Sequence, residues 1–343
     1  MALSALPSHC YGRSKVPQPL RSPWDSLSIQ ATDAPWRCPA PPAFVKTFNA
    51  EGYYIDAHHS VIDPVRKAIY DRLEAGPEGL SDDVSRAADD YLKTGSRSAA
   101  ACVYSLLDAA AKAGAWAGTM PHNQGVYDQN WMLSGTAIPY LKVRDSGVGT
   151  AAQTADIQKW FRVVATQVRD YFDKKHFHPN SDAWNNHIYW AGLAVAAEGI
   201  ADNNKNAFEW GMAGYSLGVD SIEPDGSLPL EMNRGERALH YQLYAAAPLV
   251  ILAELGEANG IDTYGEKKGA IHRLVNFDVA ALKDPSILEK RTGVRQVVPA
   301  KISGAVIGWA VPYVKRFPNA QLSEWIAQSS STRFWQWGGL PPG

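Results

Sequence analysis

Two short stretches carry most of the residue types that could do chemistry. The first is NNHIYW, Asn185 to Trp190, set inside a run that otherwise reads as an apolar helix. On a helix, Asn186 and Trp190 are four apart and His187 and Trp190 three apart, so they share a face. The second is RGERALHYQLYAAAP, from Arg234. Read as a helix with Asn233 as its N-cap, it places Arg234, Arg237, Tyr241 and Tyr244 at i, i+3, i+7 and i+10, one stripe. Two guanidiniums and two phenols on one stripe suit neither a core seam nor a solvated face. A buried Arg needs an anionic partner. The sequence nearby offers no equal count of carboxylates, so the partner can be a carboxylate on a ligand.

A lone histidine on an apolar helix is more often a satisfied core residue than a functional one. Here the imidazole stands beside an amide and an indole, and the second stripe adds two cations and two phenols. That set suits removal of a proton α to a carboxylate. Arg234, Asn186 and His187 would neutralise the carboxylate, so that it can delocalise the developing charge. Tyr241 or His187 would take the proton, and a phenol would return one to the departing oxygen. The reaction is β-elimination from a polymer of uronic acids. A glycoside hydrolase usually needs two carboxyl groups flanking the bond, and no such pair stands out. Asp225, Glu231 and Glu236 fall on a turn or in a first helical turn, where acids suit the helix dipole. No GxSxG, Walker or Rossmann motif stands out, and no HExxH is present. His58 and His59 lack a third ligand at fitting spacing, so neither a metal nor another cofactor is expected.

The elements that must position these residues read as helices. After Pro64, VRKAIYDRLEA has apolar spacing of three and four. SDDVSRAADDYLKTG then opens on Ser81 as an N-cap and ends at Gly95, and an Ala-rich helix follows. Further helices are expected near 128–141, 151–174, 182–201 (capped by Ser181 or Asp182), 203–220, 233–257, 264–283, 302–316 and 321–328. Strand signals are scarce and no fixed-period repeat is evident, so the fold class is all-α, closing as an α/α toroid with a cleft at the ends of its inner helices. Residues 1–43, rich in Pro, Ser and Trp, read as an extended arm, and residues 44–343 as one catalytic domain. FNAEGYYIDAHHSVIDP, about residues 48–64, is a candidate lid.

Composition fits this reading. The chain has 343 residues, 45% hydrophobic and 20% charged, with 12 Trp, 15 Tyr and a formal charge of -2. Near-neutral charge argues against nucleic acid as a partner. The longest apolar piece, Ala245 to Leu255, is too short for a membrane span and contains Pro248. MALSALPSHCYGRSK shows no apolar export signal. The three Cys form no CxxC pair.

NNHIYW, then DGSLPLEMNRGERALHYQLYAAAPL, then ANGIDTYG resemble the alginate lyases of polysaccharide lyase family 5, most densely between Asn185 and Gly265. The resemblance implies an incomplete α/α toroid acting on an acidic polysaccharide, polymannuronate first. It implies that Asn186 and Arg234 neutralise the substrate carboxylate, that Tyr241 is the central acid, and that Tyr241 or His187 is the base. Trp190, Tyr244 and Arg237 would bind substrate, with Trp131 and Arg333 in the cleft. It further implies a disulfide between Cys38 and Cys102, hence an oxidising compartment, periplasmic or extracellular, with Cys10 free. Two departures stand out. The family often places His after the Tyr, where this chain has Gln242. A Lys-Tyr-Glu-Gly-Ser type lid is replaced by GYYIDAHHSVIDP, so Tyr53 or Tyr54 would take the lid role. That opens polyglucuronate or hyaluronan as substrates. In mannuronate and glucuronate the C5 proton and C4 oxygen lie on one side of the ring, so one Tyr can serve both. Weak or no action on polyguluronate is expected. A toroidal hydrolase and a noncatalytic polyuronate-binding protein are the competing readings. Nothing in the sequence demands more than a monomer.

Overall fold

A computed structural model describes residues 16–176, 178 and 181–343. Cys10 and the first fifteen residues, on which the export and free-thiol expectations fall, lie outside the described residues. Among the described residues there are helices and three isolated bridges but no β-strand. The α-helices are α1 Pro64–Thr94, α2 Arg97–Ala113, α3 Asn123–Val143, α4 Ala151–Lys175, α5 Asn186–Ala201, α6 Lys205–Asp220, α7 Pro229–Met232, α8 Ala238–Ala258, α9 Glu266–Lys283, α10 Ser286–Thr292, α11 Gly304–Ile307, α12 Ala310–Arg316 and α13 Ala320–Gln328.

Local chemistry sets many of the ends. Asp63 accepts from the N–H groups of Val65 and Arg66, with Pro64 at the first helical position, and Gly95 closes α1 with φ 72°. Ser96 then caps α2, which Gly114 ends with φ 61°. One expectation fails here. The expected break before Ser81 is bridged, and α1 runs unbroken through Gly76 and Pro77. Ser81 is a buried interior residue of α1, not a cap. Packing of α1 against α2 and α3 outweighs the local cost of a proline inside a helix, about 3 kcal/mol. The sequence reading also missed α10.

The helices pack as an α/α toroid. At its centre, α5 packs against α3, α4, α6 and α8 and is buried on every side from Ile188 to Ala201. It approaches α6 backbone to backbone. A Cβ on Gly211 would sit 2.5 Å from the carbonyl oxygen of Gly192. The segment before α1 crosses the outside. The backbone N–H of Leu20 donates to Asn203 and that of Arg21 to Asn259. Thr32 pairs with Ser96, and Cys38 is bonded to Cys102 of α2. At the other end of the chain, Lys142 of α3 is buried and donates to Asp89 (2.6 Å) and to the carbonyls of Gly338 and Leu340 (2.7 and 2.8 Å). This ties the C-terminal segment across α1 and α3.

Candidate active site

Asn185, not Ser181 or Asp182, caps α5. Its Oδ1 accepts from the His187 backbone N–H at 3.0 Å and from His187 Nδ1 at 2.8 Å. Ser181 instead starts a short 3-10 turn, Asp182–Trp184. The cap has a chemical consequence. An amide oxygen only accepts, so Nδ1 carries the imidazole proton and Nε2 keeps its lone pair. Burial, and then the charge of Arg234, push His187 down to about 3. The ring is therefore neutral, and it lies 3.9 Å from the ring of Tyr127.

The second stretch is not one continuous helix. Asn233 ends α7 instead of starting α8. Arg234 precedes a 3-10 turn, Gly235–Arg237, and α8 begins at Ala238. Gly235 adopts φ 54° to make the bend. The stripe survives this break, because Arg234, Arg237, Tyr241 and Tyr244 all line one cleft of about 1460 Å³. Asn186 and His187 line it too. The loop before α1 adds Tyr53, Tyr54, His58 and His59, α1 adds Arg66, Lys67, Tyr70 and Glu74, and α3 adds Tyr127 and Trp131. The C-terminal segment closes one wall with Phe334, Trp335 and Gln336.

Tyr241 sits at the junction of these walls. Its hydroxyl bonds that of Tyr54 at 2.9 Å, and Arg237 Nη1 donates to Tyr54 at 3.4 Å. Arg neighbours lower a phenol's pKa by stabilising the phenolate. Burial outweighs them: it pushes the phenol well above its ordinary range, the neighbouring Tyr54 adds to that, and Arg234 pulls down without reversing it. Tyr241 thus holds its proton at neutral pH. Tyr244 donates to Gln336 Oε1 at 2.6 Å, and Trp131 meets it edge-on at 6.3 Å.

Glu231 is the residue that sequence reasoning undervalued. The sequence reading gives it to the helix dipole, and leaves the partner of Arg234 open between a tertiary carboxylate and a ligand. Glu231 is fully buried, and its Oε2 lies 3.7 Å from Arg234 Nε. Its oxygens also accept from the backbone N–H of Asn186 at 2.8 Å and from Asn186 Nδ2 at 3.0 and 2.9 Å. Asn186 Oδ1 is left buried with no partner. An amide can be turned over without moving another heavy atom. Turned, it would present Nδ2 where Oδ1 now lies, and Oδ1 could accept a hydrogen bond from a protonated Glu231. Burial, the largest influence on Glu231, favours that protonated acid, against the opposing pull of Arg234 and Asn186.

Two expected substrate contacts are corrected. Trp190 has no exposed surface. It lies beneath Tyr244, ring centres 5.0 Å apart, and stacks parallel to Trp337 at 6.5 Å. Because α5 is enclosed on every side, Trp190 supports the cleft floor from inside. Arg333 turns away from the cleft, pairs with Asp89 and donates to Ser85 Oγ at 2.8 Å. It anchors the C-terminal segment, whose next three residues form the wall. Gln242, at the departure from the family pattern, is buried. It accepts from the Leu228 N–H at 3.1 Å and so holds the turn before α7. His58 Nδ1 contacts the Asn233 carbonyl at 2.9 Å.

The comparisons with known proteins agree with this architecture. The alginate lyase family model matches residues 47–288. A polysaccharide lyase of Stenotrophomonas maltophilia is 39% identical over 285 residues, 82% of each chain. An alginate lyase of Pseudomonas syringae pv. syringae is 31% identical over 234 residues, 67% of this chain and 61% of that enzyme. Among solved structures, alginate lyase A1-III from Sphingomonas species A1 has a TM-score of 0.75 at 24% identity, covering 95% of this chain and 96% of that one. A variant of alginate lyase A1-III complexed with tetrasaccharide has a TM-score of 0.77 at 26% identity, covering 93% and 88%. The chain belongs to the alginate lyase family and is a polysaccharide lyase.

Proposed function

We propose that this lyase cleaves β-1,4-linked polyuronates by β-elimination across C4 and C5, with polymannuronate as its main substrate. The observation that carries the proposal is the junction of Tyr241, Arg234, His187 and Asn186 on one cleft, with Arg234 over the Tyr241 ring. Arg234 and the turned amide of Asn186 bind the C5 carboxylate and neutralise it. That lowers the barrier to losing the C5 proton, because the developing negative charge spreads onto the carboxylate. His187 Nε2, the neutral nitrogen with a free lone pair, takes that proton. The anionic substrate raises its basicity as the charge develops. The electron pair forms the C4–C5 double bond, the C4–O4 bond breaks, and Tyr241 gives its proton to O4. Proton exchange with solvent restores both groups.

Mannuronate and glucuronate differ only at C2, so the same machinery accepts polyglucuronate. The aromatic lid pair Tyr53 and Tyr54, centres 4.7 Å apart, favours that second substrate. Polyguluronate, with C5 hydrogen and O4 on opposite faces, is a poor one. The reading takes the chain to act as a monomer, since nothing in its sequence demands more. The Cys38–Cys102 bond supports an oxidising location, periplasmic or extracellular. The test is product analysis by mass spectrometry: a lyase leaves one product 18 mass units lighter than hydrolysis would, by the arithmetic of a missing water. Products with the mass of hydrolysis would reject the mechanism.

A further inference from the structure

Among the described residues, three carboxyl groups line the cleft without a part in the elimination. Asp182 pairs with Lys175 and Glu51 lies 3.8 Å from His122, which leaves Glu74 without an ion-pair partner. Glu74 lies on α1, one turn beyond Tyr70 and two beyond Lys67, on the face that lines the cleft. A carboxylate is an unexpected lining for a cleft that takes a polyanion. The groups around it offer no balancing charge. On its own helix, Lys67 is paired with Asp71, which with Glu78 adds further acid. From α3, Asp128 faces the same cluster and is buried. The hydroxyl of Tyr70 donates to Asp128 at 2.7 Å, and Gln124 donates to the other Asp128 oxygen at 3.2 Å. From the lid comes the phenol of Tyr53, and from α8 that of Tyr244, whose proton is committed to Gln336. Glu74 is therefore a half-buried acid among phenols, near a second acid, without a free cation.

We propose that Glu74 is a substrate-binding residue, which donates a hydrogen bond to a uronate of the bound polymer from its neutral carboxylic acid. A protonated carboxyl is one of the few acidic side chains that a polyanion site can use, since its O–H makes a strong charge-assisted bond to a carboxylate. Ionised, the same group repels the substrate. Burial, the largest influence, pushes Glu74 up to about 7, with Glu78 and Asp71 adding and Tyr70 and Lys67 opposing. The sign follows. The raised pKa keeps the donor intact at mildly acid pH, and binding weakens as pH rises through about 7. The site so grades its hold on polyuronate within the physiological range.

The inference rests on the polyuronate lyase reading and fails separately from it. The experiment is the KM of the full chain for polymannuronate, followed by product absorbance from pH 5.5 to 9, with wild type, Glu74→Gln and Glu74→Met. Above pH of about 7 the slope of log KM against pH in wild type should exceed that in Glu74→Gln by about one, a tenfold change per pH unit for one ionising group. Glu74→Met should show the same reduced slope with a higher KM, because it lacks the donor that Gln keeps. A Glu74→Gln slope equal to that of wild type would overturn the proposal. Equal KM for Gln and Met would overturn the hydrogen bond. Thermal melting shows which variants fold, and either one alone tests the slope. If wild type itself formed no unsaturated product, the failure would belong to the lyase mechanism.

Discussion

The guanidinium carbon of Arg234 lies 4.3 Å from the centre of the Tyr241 ring. One cation therefore serves two purposes. In the proposed mechanism it holds the substrate carboxylate, and it offsets part of the burial that keeps the phenol protonated. Tyr241→Phe keeps the ring and the stack and removes only the hydroxyl, with its proton and its bond to Tyr54. We expect turnover to fall by about 100- to 10,000-fold, the usual worth of a general acid, while oligosaccharide binding by calorimetry persists. Turnover near that of wild type would show that another group protonates O4.

Glu231 governs the orientation of Asn186. Glu231→Ala leaves the backbone N–H of Asn186 without its partner and frees the amide to rotate. We expect kcat to fall by about 100-fold, comparable with losing one donor to a developing oxyanion. Glu231→Gln can still accept from that N–H and donate to the turned Oδ1, so it should recover most of the loss. A Gln variant as impaired as Ala would show that the charge of Glu231 matters, not its hydrogen bonding.

What the sequence revealed and what it hid follow a physical division. Capping is local, so Pro64 and Gly95 mark the two ends of α1 correctly. The stripe of Arg234, Arg237, Tyr241 and Tyr244 was legible because its residues are close along the chain, and it held even though the chain bends at Gly235. Glu231 was hidden because its partner Asn186 is 45 residues away and only tertiary packing joins them. Trp190 was misread for the opposite reason. A helix enclosed on every side has no cleft face for its indole to share. Arg333 was misplaced because its partner Asp89 lies 244 residues away. The fusion of two expected helices into α1 reflects packing that overrode the start expected at Ser81.

The Cys38–Cys102 bond closes a separation of 64 residues. Loop-closure entropy over that length gives about 4 kcal/mol. Cys38→Ser should lower Tm, and reductant should lower the wild-type Tm to match. Thiol titration of unreduced, denatured protein should count a single thiol, from Cys10. Three thiols would contradict the bond.

Glu198 on α5 is fully buried, and its Oε1 has no partner. Burial, with Asp202 adding and Arg162 and Arg169 opposing, pushes it up to about 7. The folded chain thus holds a proton that the unfolded chain releases at lower pH. Stability is complete below the ordinary carboxylate range and falls as pH rises to about 7, by about 3 kcal/mol in all. Glu198→Gln should remove that component of the fall, and melting curves at pH 4.5 and 8 would measure it. An unchanged difference between the two curves would contradict the assignment.

The central claim is elimination from a polyuronate in this cleft. Its most direct test is the ultraviolet absorbance of unsaturated uronate with polymannuronate, polyguluronate, polyglucuronate and hyaluronan in parallel. The account predicts the steepest rise with polymannuronate, a smaller one with polyglucuronate and little with polyguluronate. No rise with any of the four would contradict it.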